Sequence, residues 1–288
     1  MTALILFALC SLLGLAPALE ADVAGERAGG LLSNRLTDGV WQIWQTDSAG
    51  GEPWQLTSDP VDKRYPTALS SGHVGYCTSN QQCFTLAPGE APQPFLAEVW
   101  PMRDAAWSPD GAQVVFSKFR TDLIDSANLW LVNADGTARR TLTHAPGIQQ
   151  NAAWSPDGRL IAYSGGQGYQ TYEIYVVAVE GGDPRRLTEN RSHEFLPAWS
   201  PDGARIAFVS DRTDDYEIWV MDADGGHPTQ LTDSPGLDTR PAWSPDGARI
   251  AFATNRTGTM QVWIMNADGS EARPVIEVEG GAGDPAWR

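Results

Sequence analysis

The sequence predicts an all-β fold, a six-bladed β-propeller whose blades are four-stranded and antiparallel. Three observations predict it. A six-residue segment recurs at an almost fixed spacing, short strand-like runs follow each copy, and the last copy completes a unit whose other strands lie near the N-terminus. A repeat of 20 to 50 residues is typical of solenoids, propellers and arrays.

The recurring segment is Ala-Trp-Ser-Pro-Asp-Gly. Its tryptophans are Trp107, Trp154, Trp199 and Trp243, which are 47, 45 and 44 residues apart. Proline fits the second position of a type I turn, glycine supplies a left-handed residue, and serine and aspartate bond to nearby backbone amides. The motif therefore indicates a structural turn rather than a reactive site.

Residues 197–232 show the strand pattern of one complete unit. After the turn, residues 205–210 are apolar on both faces, and residues 216–221 are rich in β-branched and aromatic side chains. A hairpin turn at residues 222–226 leads into a short last strand. Four short strands in such a unit predict a propeller blade, because both faces of a blade pack against neighbours. The alternative, a β-sandwich, does not require recurrence at a fixed spacing.

The repeat count gives six blades and a closed ring. The first strands are expected near residues 69, 107, 154, 199, 243 and 287. Leu69 marks a degenerate copy, and Trp287 stands in a last copy that lacks its following strands. Residues 33–57 match those three missing strands. We therefore expect the C-terminal strand to join an N-terminal blade, which removes an open sheet edge.

The N-terminal residues differ from the repeats. Residues 1–21 contain an apolar run at positions 4–15 and small residues near its end, so we predict a signal peptide cleaved near Ala18 or Ala21. No Lys or Arg precedes the run, and the alternative is an uncleaved anchor. The run is short for a membrane span. We expect a periplasmic or secreted protein with a single domain at residues 22–288 and no membrane-spanning segment after cleavage.

Two cysteines remain after the predicted cleavage, Cys77 and Cys83, on either side of a five-residue segment. Two cysteines across a hairpin of an exported protein predict a disulfide. The degenerate repeat that contains them lacks the standard tryptophan and turn, so we expect the bond to stabilise that blade. A metal or redox role is the alternative.

Composition excludes some partners. The formal net charge is −16, which disfavours nucleic acid and anionic membrane surfaces. Much of the acid lies in the repeated turns, so the charge does not by itself indicate an acidic binding site. We expect a monomer.

The sequence contains no recognisable catalytic set. There is no Gly-x-Ser-x-Gly elbow and no phosphate-binding loop, and the four histidines lack metal-ligand spacing. We therefore predict no catalytic residues, no resident cofactor and no metal from the motifs alone. The motifs do not decide whether the protein is an enzyme.

Candidate binding residues come from the segments that enter each first strand, which we expect to point toward the mouth of a central channel. Variable loops on a rigid scaffold are where binding usually occurs. A solvated channel rim is the alternative. The selected residues are Arg64, Tyr65, Arg103, Asp104, Asn151, Glu194, Arg240 and Asp284.

The repeats resemble those of the TolB family. The resemblance is carried by segments 197–208, 210–212, 216–226 and 230–232, and it covers about residues 31–288. It implies a periplasmic propeller that docks partner proteins on one face. About ten residues separate the predicted signal peptide from the first strand, so we expect no counterpart of the N-terminal α/β domain of that family. The same type of repeat builds the propeller of prolyl oligopeptidase-like peptidases, and the sequence shows no hydrolase domain.

These observations favour an exported, non-catalytic scaffold that binds a protein or cell-envelope partner. Two alternatives remain open. One is a small-ligand or calcium-dependent hydrolase or lyase-type site at the channel mouth, with Ca²⁺ held by loop carboxylates. The other is a component of a Tol–Pal system, which the resemblance implies.

Overall fold

The structure, a computed structural model, describes residues 30–47, 51–80, 82–95, 103–119, 126–166 and 171–288. The predicted signal peptide at residues 1–21 lies outside these ranges. Within them, every regular element is a strand, so the all-β class is confirmed. No helix in the described part of the chain has the length and apolar character needed to cross a membrane.

The strands are short and follow one another in hairpins. In chain order they are β1 (Leu31–Thr37), β2 (Val40–Thr46), β3 (Trp54–Gln55), β4 (Lys63–Ala68), β5 (Val74–Thr78), β6 (Cys83–Leu86), β7 (Gln93–Phe95), β8 (Arg103–Trp107), β9 (Gln113–Phe119), β10 (Ala127–Asn133), β11 (Arg140–Thr141), β12 (Ile148–Trp154), β13 (Leu160–Gly166), β14 (Glu173–Ala178), β15 (Arg185–Arg186), β16 (Glu194–Trp199), β17 (Arg205–Ser210), β18 (Glu217–Asp222), β19 (Thr229–Gln230), β20 (Asp238–Trp243), β21 (Arg249–Thr254), β22 (Gln261–Asn266), β23 (Arg273–Ile276) and β24 (Ala282–Trp287).

The prediction of a six-bladed propeller is wrong. Four separate four-stranded blades are present: β24-β1-β2-β3, β4 to β7, β16 to β19, and β20 to β23. The other eight strands, β8 to β15, form one continuous sheet, in which β8 to β11 and β12 to β15 each keep the strand order of a blade. The two halves are joined because the Ala127 amide donates to the Gly147 carbonyl at 3.0 Å, which sets Ala127 beside Ile148 in a parallel pair.

The C-terminal strand closes the N-terminal blade. β24 pairs antiparallel with β1, with Trp287 opposite Leu31 and Ala286 opposite Leu32. The Arg288 amide extends the pairing by donating to the Gly30 carbonyl at 2.8 Å. Both leucines are fully buried, so this junction is part of the core as well as a hydrogen-bonded edge.

The repeated tryptophan connects neighbouring first strands. The indole N–H of Trp154 donates to the Ala106 carbonyl at 2.9 Å, and that of Trp243 donates to the Ala198 carbonyl at 3.1 Å. Trp287 makes the same bond to Ala242 at 3.0 Å. At these three positions the tryptophan therefore joins successive repeats, whereas the buried indole nitrogen of Trp199 has no hydrogen-bond partner among the described residues.

The turn that follows the tryptophan is stabilised by hydrogen bonds to its own aspartate. The Ser200 hydroxyl donates to Asp202 Oδ1 at 2.6 Å, and the Ala204 amide donates to the same oxygen at 3.0 Å. These bonds, led by the one from the Ser200 hydroxyl, lower the pKa of Asp202. The equivalent serine–aspartate bond recurs at residues 108–110, 155–157 and 244–246. Part of the negative charge thus stabilises turns at the end of each first strand.

The degenerate second blade compensates for its missing tryptophan. Ala68, opposite Val74, occupies the place that Trp107, opposite Val114, holds in the next strand pair, so the tryptophan position is Ala68 rather than Leu69. A Cβ on Gly75 would lie 2.9 Å from the Trp107 ring. Gly75 therefore allows the neighbouring tryptophan to pack closely.

A disulfide joins Cys77 and Cys83 in this blade, as predicted. The two residues are directly opposite in the β5–β6 pairing and are 2% and 1% exposed. They pack in a core cluster with Phe95, Trp107 and Phe116. Their burial supports a structural role.

Replacing both cysteines by alanine should lower the free energy of unfolding by about 2–3 kcal/mol, because the unfolded chain gains loop entropy and the core loses sulfur contacts. Urea unfolding of the oxidised protein and the double variant measures this loss. Reductant should destabilise the parent protein and leave the double variant unchanged. Equal midpoints for the oxidised parent and the variant would contradict the structural role.

Candidate functional site

Six strand residues with left-handed backbone surround one end of the propeller. Non-glycine residues rarely adopt positive φ angles, and here one occurs at the same place in each first strand. A register shift in the pairing accompanies each of them, as expected for a β-bulge that redirects a side chain. The residues are Tyr65 (φ 55°), Asp104 (51°), Asn151 (54°), Leu196 (53°), Arg240 (55°) and Asp284 (45°).

These six residues line one central cavity, which we call the channel mouth. Its volume is about 220 Å³, and the residue after each of the six, a proline or an alanine, also contributes to the wall. Conformational strain of this kind is concentrated at functional sites, where the surrounding structure maintains it. The bulges therefore mark the channel mouth as the candidate site.

An ion pair connects three strands across the channel mouth. Arg240 Nε lies 2.6 Å from Asp284 Oδ1. The other oxygen, Oδ2 of Asp284, accepts from the Asn34 side-chain amide at 2.8 Å and from the Tyr65 backbone amide at 3.2 Å. The Arg240 guanidinium also lies over the Tyr65 ring, 4.9 Å from its centroid. Asp284, which is 8% exposed, thus holds β1, β4 and β20 together at the site.

The charges at the channel mouth affect one another. Burial acts to lower the pKa of Arg240, but the charges of Asp284, Tyr65 and Asp104 outweigh it and raise that pKa. Burial raises the pKa of Tyr65, and the charge of Asp104 adds to the increase. Arg240 therefore stays cationic and Tyr65 stays a neutral phenol near neutral pH. Among the lining residues, two carboxylates face one guanidinium.

A second, mostly apolar cavity lies beside the channel mouth, and we call it the lateral depression. Its volume is about 320 Å³. Leu237 in its wall is 39% exposed, one of two large hydrophobic side chains in the described ranges that are exposed. The residues that line it are Asn151, Phe195, Leu196, Val209, Tyr216, Leu237, Thr239 and Arg240.

Aromatic rings continue outward from the lateral depression. The Phe195 ring lies 6.4 Å from the Tyr216 ring and 4.9 Å from the Tyr172 ring, measured between centroids. His193 stacks on Phe195 at 5.7 Å, and its Nδ1 accepts from the Tyr172 amide at 3.3 Å. All four rings are partly exposed. Clusters of this type favour contact with another protein, since Tyr, Phe and Trp are enriched at interfaces.

Five of the eight residues selected from the sequence line the channel mouth, namely Tyr65, Asp104, Asn151, Arg240 and Asp284. Arg64 is exposed and is not part of the lining. Arg103 begins β8, and its side chain lies outside what the structure describes.

Glu194 does not line the channel mouth. It is fully buried, and its Oε1 accepts from Arg212 at 2.9 Å and from Asn190 at 2.7 Å. Counting back three residues from Trp199, as for the other repeats, gives Leu196 instead. The error arose because Glu194 begins the strand, whereas the bulge that aims a residue inward occurs two positions later.

Sequence reasoning missed the lateral depression. Its apolar residues Leu237 and Tyr216 belong to two different segments of the chain, which only the fold brings together. The sequence feature that could have indicated this cavity is an apolar residue, Leu237, within a polar loop, Ser-Pro-Gly-Leu-Asp.

The channel mouth does not fit a calcium site. Calcium takes six to eight oxygen ligands. Both oxygens of Asp284 are already bound by Arg240, Asn34 and Tyr65. Among the described residues, no group of three or more His, Cys, Asp or Glu side chains is arranged to hold a metal ion.

A family model described as the TolB beta propeller domain matches residues 101–195 and 170–287. The chain belongs to the TolB β-propeller family. The matched ranges span more than half of the sequence and include five of the six first strands that form the channel mouth, all except β4. No curated protein matches the sequence.

Several solved structures share the fold. TolB from Acinetobacter baumannii has a TM-score of 0.78 at 19% identity, with 91% of this chain and 67% of that chain covered. A putative TolB from Agrobacterium tumefaciens has a TM-score of 0.73 at 23% identity, with 90% and 92% covered. An oligogalacturonate lyase from Vibrio parahaemolyticus has a TM-score of 0.61 at 13% identity, with 87% and 75% covered. At these identities the likeness shows the fold alone.

Proposed function

We propose that this TolB-family propeller is an exported, non-catalytic scaffold that binds a protein partner at the channel mouth and the lateral depression. The observation that carries the proposal is the continuity of the two cavities, which share Asn151, Leu196 and Arg240. A polar centre beside an apolar depression suits a peptide segment that inserts one apolar side chain and bonds through its backbone. Family membership supports a location in the cell envelope.

The size of the site favours a partner segment over a large cofactor. Pockets for drug-sized ligands usually occupy about 300–1,000 Å³ and enclose the ligand. Here two adjoining cavities of about 220 Å³ and 320 Å³ are available. The aromatic cluster extends the contact surface outward from Phe195 and Tyr216. Interfaces of this form concentrate their binding free energy in a few central apolar and arginine contacts.

Charge favours a partner segment that carries at least one cation. Asp104 and Asp284 together outnumber Arg240 in the lining, and the sequence has a net charge of −16. Complementary charge raises the association rate and selects against wrong partners more than it raises affinity. We therefore propose a partner segment with a basic residue next to an apolar one.

Replacing Leu237 by serine should weaken partner binding about tenfold or more, because burial of a leucine side chain stabilises a complex by roughly 1.5–3 kcal/mol. The partner is selected from displayed peptides on the immobilised parent protein, and affinities are measured by titration calorimetry. Arg139→Ala is the control, since Arg139 is exposed in the turn after β10 at the opposite end of the strands. It should leave affinity unchanged. Equal affinity of the parent and Leu237→Ser for every selected peptide would contradict the proposed site.

A further inference from the structure

The junctions between successive blades contain a recurring buried pair. At three junctions the first residue of a third strand lies beside the first residue of the next first strand, because the amide of the latter donates to the carbonyl just before the former, as in Asp238 to Tyr216 at 2.7 Å. At the β10–β12 junction the paired side chains belong to the second residues of their strands and are neutral: the Asn128 side-chain amide donates to the Gln149 side-chain oxygen at 2.7 Å. At two junctions both members are carboxyl groups, Glu173 with Glu194 and Glu217 with Asp238. All four are at most 2% exposed.

The Glu173–Glu194 junction is balanced in charge. Arg186 binds Glu173 at 2.8 Å, and Arg212 binds Glu194 at 2.9 Å. Asn190 bridges the two carboxyl groups, with its backbone amide on Glu173 at 2.9 Å and its side-chain amide on Glu194 at 2.7 Å. Two cations therefore face two carboxylates.

The Glu217–Asp238 junction lacks one of those cations. Arg256 binds Asp238 Oδ2 at 2.6 Å, as Arg212 binds Glu194. Gln230 occupies the position that Arg186 has in the preceding repeat, since each pairs with the third residue of the strand before it. The side-chain amide of Gln230 donates to the Thr232 carbonyl at 2.7 Å. Ser234, in place of Asn190, donates its backbone amide to Glu217 at 3.0 Å.

Each of the two junctions leaves one buried carboxylate oxygen without a hydrogen-bond donor among the described residues, Glu194 Oε2 at the first and Asp238 Oδ1 at the second. Only the second junction also lacks a cation, so there the unpaired oxygen of the fully buried Asp238 indicates a missing hydrogen. The backbone bond from the Asp238 amide to the Tyr216 carbonyl places Asp238 beside Glu217. Burial raises the pKa of Glu217, and the charge of Asp238 adds to the increase. Two other charged side chains lie near the pair. Arg212 packs on Trp219 of β18 but is paired with Glu194, and Asp233 is exposed.

We propose that the Glu217–Asp238 junction is a proton-binding site, in which protonated Glu217 donates to Oδ1 of Asp238, and that release of this proton separates the starts of β18 and β20. The bound proton satisfies the buried oxygen and leaves one carboxylate facing Arg256. Release leaves two buried carboxylates in contact with one cation, an arrangement that strongly disfavours close approach.

The site lies directly behind the lateral depression. Tyr216 precedes Glu217, and Leu237 and Thr239 flank Asp238, and all three line the depression. Separation of the two strand ends moves opposite walls of that cavity. Binding there therefore weakens as pH rises, and this consequence, unlike the proton site itself, rests on the proposed function.

Carboxyl ¹³C NMR of the full-length protein, with the Glu217 resonance identified by its loss in Glu217→Gln, tests the proton site. We expect this resonance to titrate above the ordinary glutamate range. The bound proton stabilises the fold fully below the ordinary glutamate pKa, and this stabilisation is lost as pH rises through the raised pKa of Glu217. Glu217→Gln should remove that loss, since Gln261 already occupies the same position in β22, where its side-chain nitrogen donates to the Val278 carbonyl and its side-chain oxygen accepts from the Val278 amide.

Gln230→Arg is the second variant, because it restores the cation that Arg186 supplies in the preceding repeat. It should reduce the proton affinity of Glu217 about tenfold or more, as expected for a new opposite charge within contact distance. A Glu217 resonance that titrates in the ordinary range, or one that Gln230→Arg leaves unmoved, would overturn the proton site. Since neither readout uses a partner, their outcome is independent of whether the proposed binding function holds.

Discussion

Removal of residues 282–288 should lower the free energy of unfolding by more than about 5 kcal/mol, which is comparable to the whole stability of an ordinary domain. The deletion removes β24 and exposes the β1 edge, including the buried Leu31 and Leu32. It also removes Trp287, whose indole donates to the Ala242 carbonyl, and loss of a packed tryptophan alone costs about 3–5 kcal/mol. Urea unfolding monitored by tryptophan fluorescence and circular dichroism measures the effect.

Deletion of Arg288 alone is the matched control. It removes the amide bond to Gly30 and the guanidinium bonds to Gln45 and Gly72 but leaves β24 in place. We expect a loss of about 1–3 kcal/mol. If the longer deletion unfolds at the same urea concentration as the parent, ring closure by β24 does not stabilise the fold.

Replacing Asp284 by alanine should destabilise the protein by about 2–4 kcal/mol. The substitution leaves Arg240, Asn34 and the Tyr65 amide without their shared acceptor. Removing one partner of a fully buried ion pair costs about 3–5 kcal/mol, and the partial exposure of Arg240 reduces this figure. Denaturant unfolding at neutral pH measures the change, and partner affinity should fall with it.

Asp284→Asn separates charge from backbone strain. Asparagine tolerates the left-handed conformation that Asp284 adopts, at φ 45°, and keeps one oxygen acceptor. We expect it to recover about half of the stability lost in the alanine variant. Equal losses in both variants would show that the carboxylate charge is the whole contribution, and no loss in either would contradict the role of Asp284 in holding three strands together.

Much of the candidate site was predictable because it follows the repeat. Tyr65, Asp104, Asn151, Arg240 and Asp284 each stand at a fixed distance before the end of a first strand, so alignment of the repeats places them at one end of the propeller. Glu194 was misplaced because it stands five residues before Trp199, whereas the residues that reach the channel mouth stand three residues before the ends of their strands; the same count gives Leu196, at the bulge between Phe195 and Ala198.

The blade count shows a different limit. Spacing of the motif predicts where repeats begin, but it does not predict whether neighbouring repeats join. One parallel residue pair, Ala127 beside Ile148, merges eight strands into one sheet. Whether such a pair forms depends on local backbone geometry, because hydrogen bonds weaken steeply with distance and angle, and this leaves no pattern in residue type.

By itself, the sequence determined the all-β class, the repeated unit, the pairing of the C-terminal strand with the N-terminal blade and the disulfide between Cys77 and Cys83. These features follow from local turn chemistry, side-chain periodicity and the position of two cysteines. Only the tertiary structure decided which side chains meet at the channel mouth, that Leu237 and Tyr216 share an apolar cavity, and that Glu217 and Asp238 face one cation. The physical reason is that contacts between blades depend on bulges, backbone register and missing counter-charges, which are properties of residues far apart in the chain.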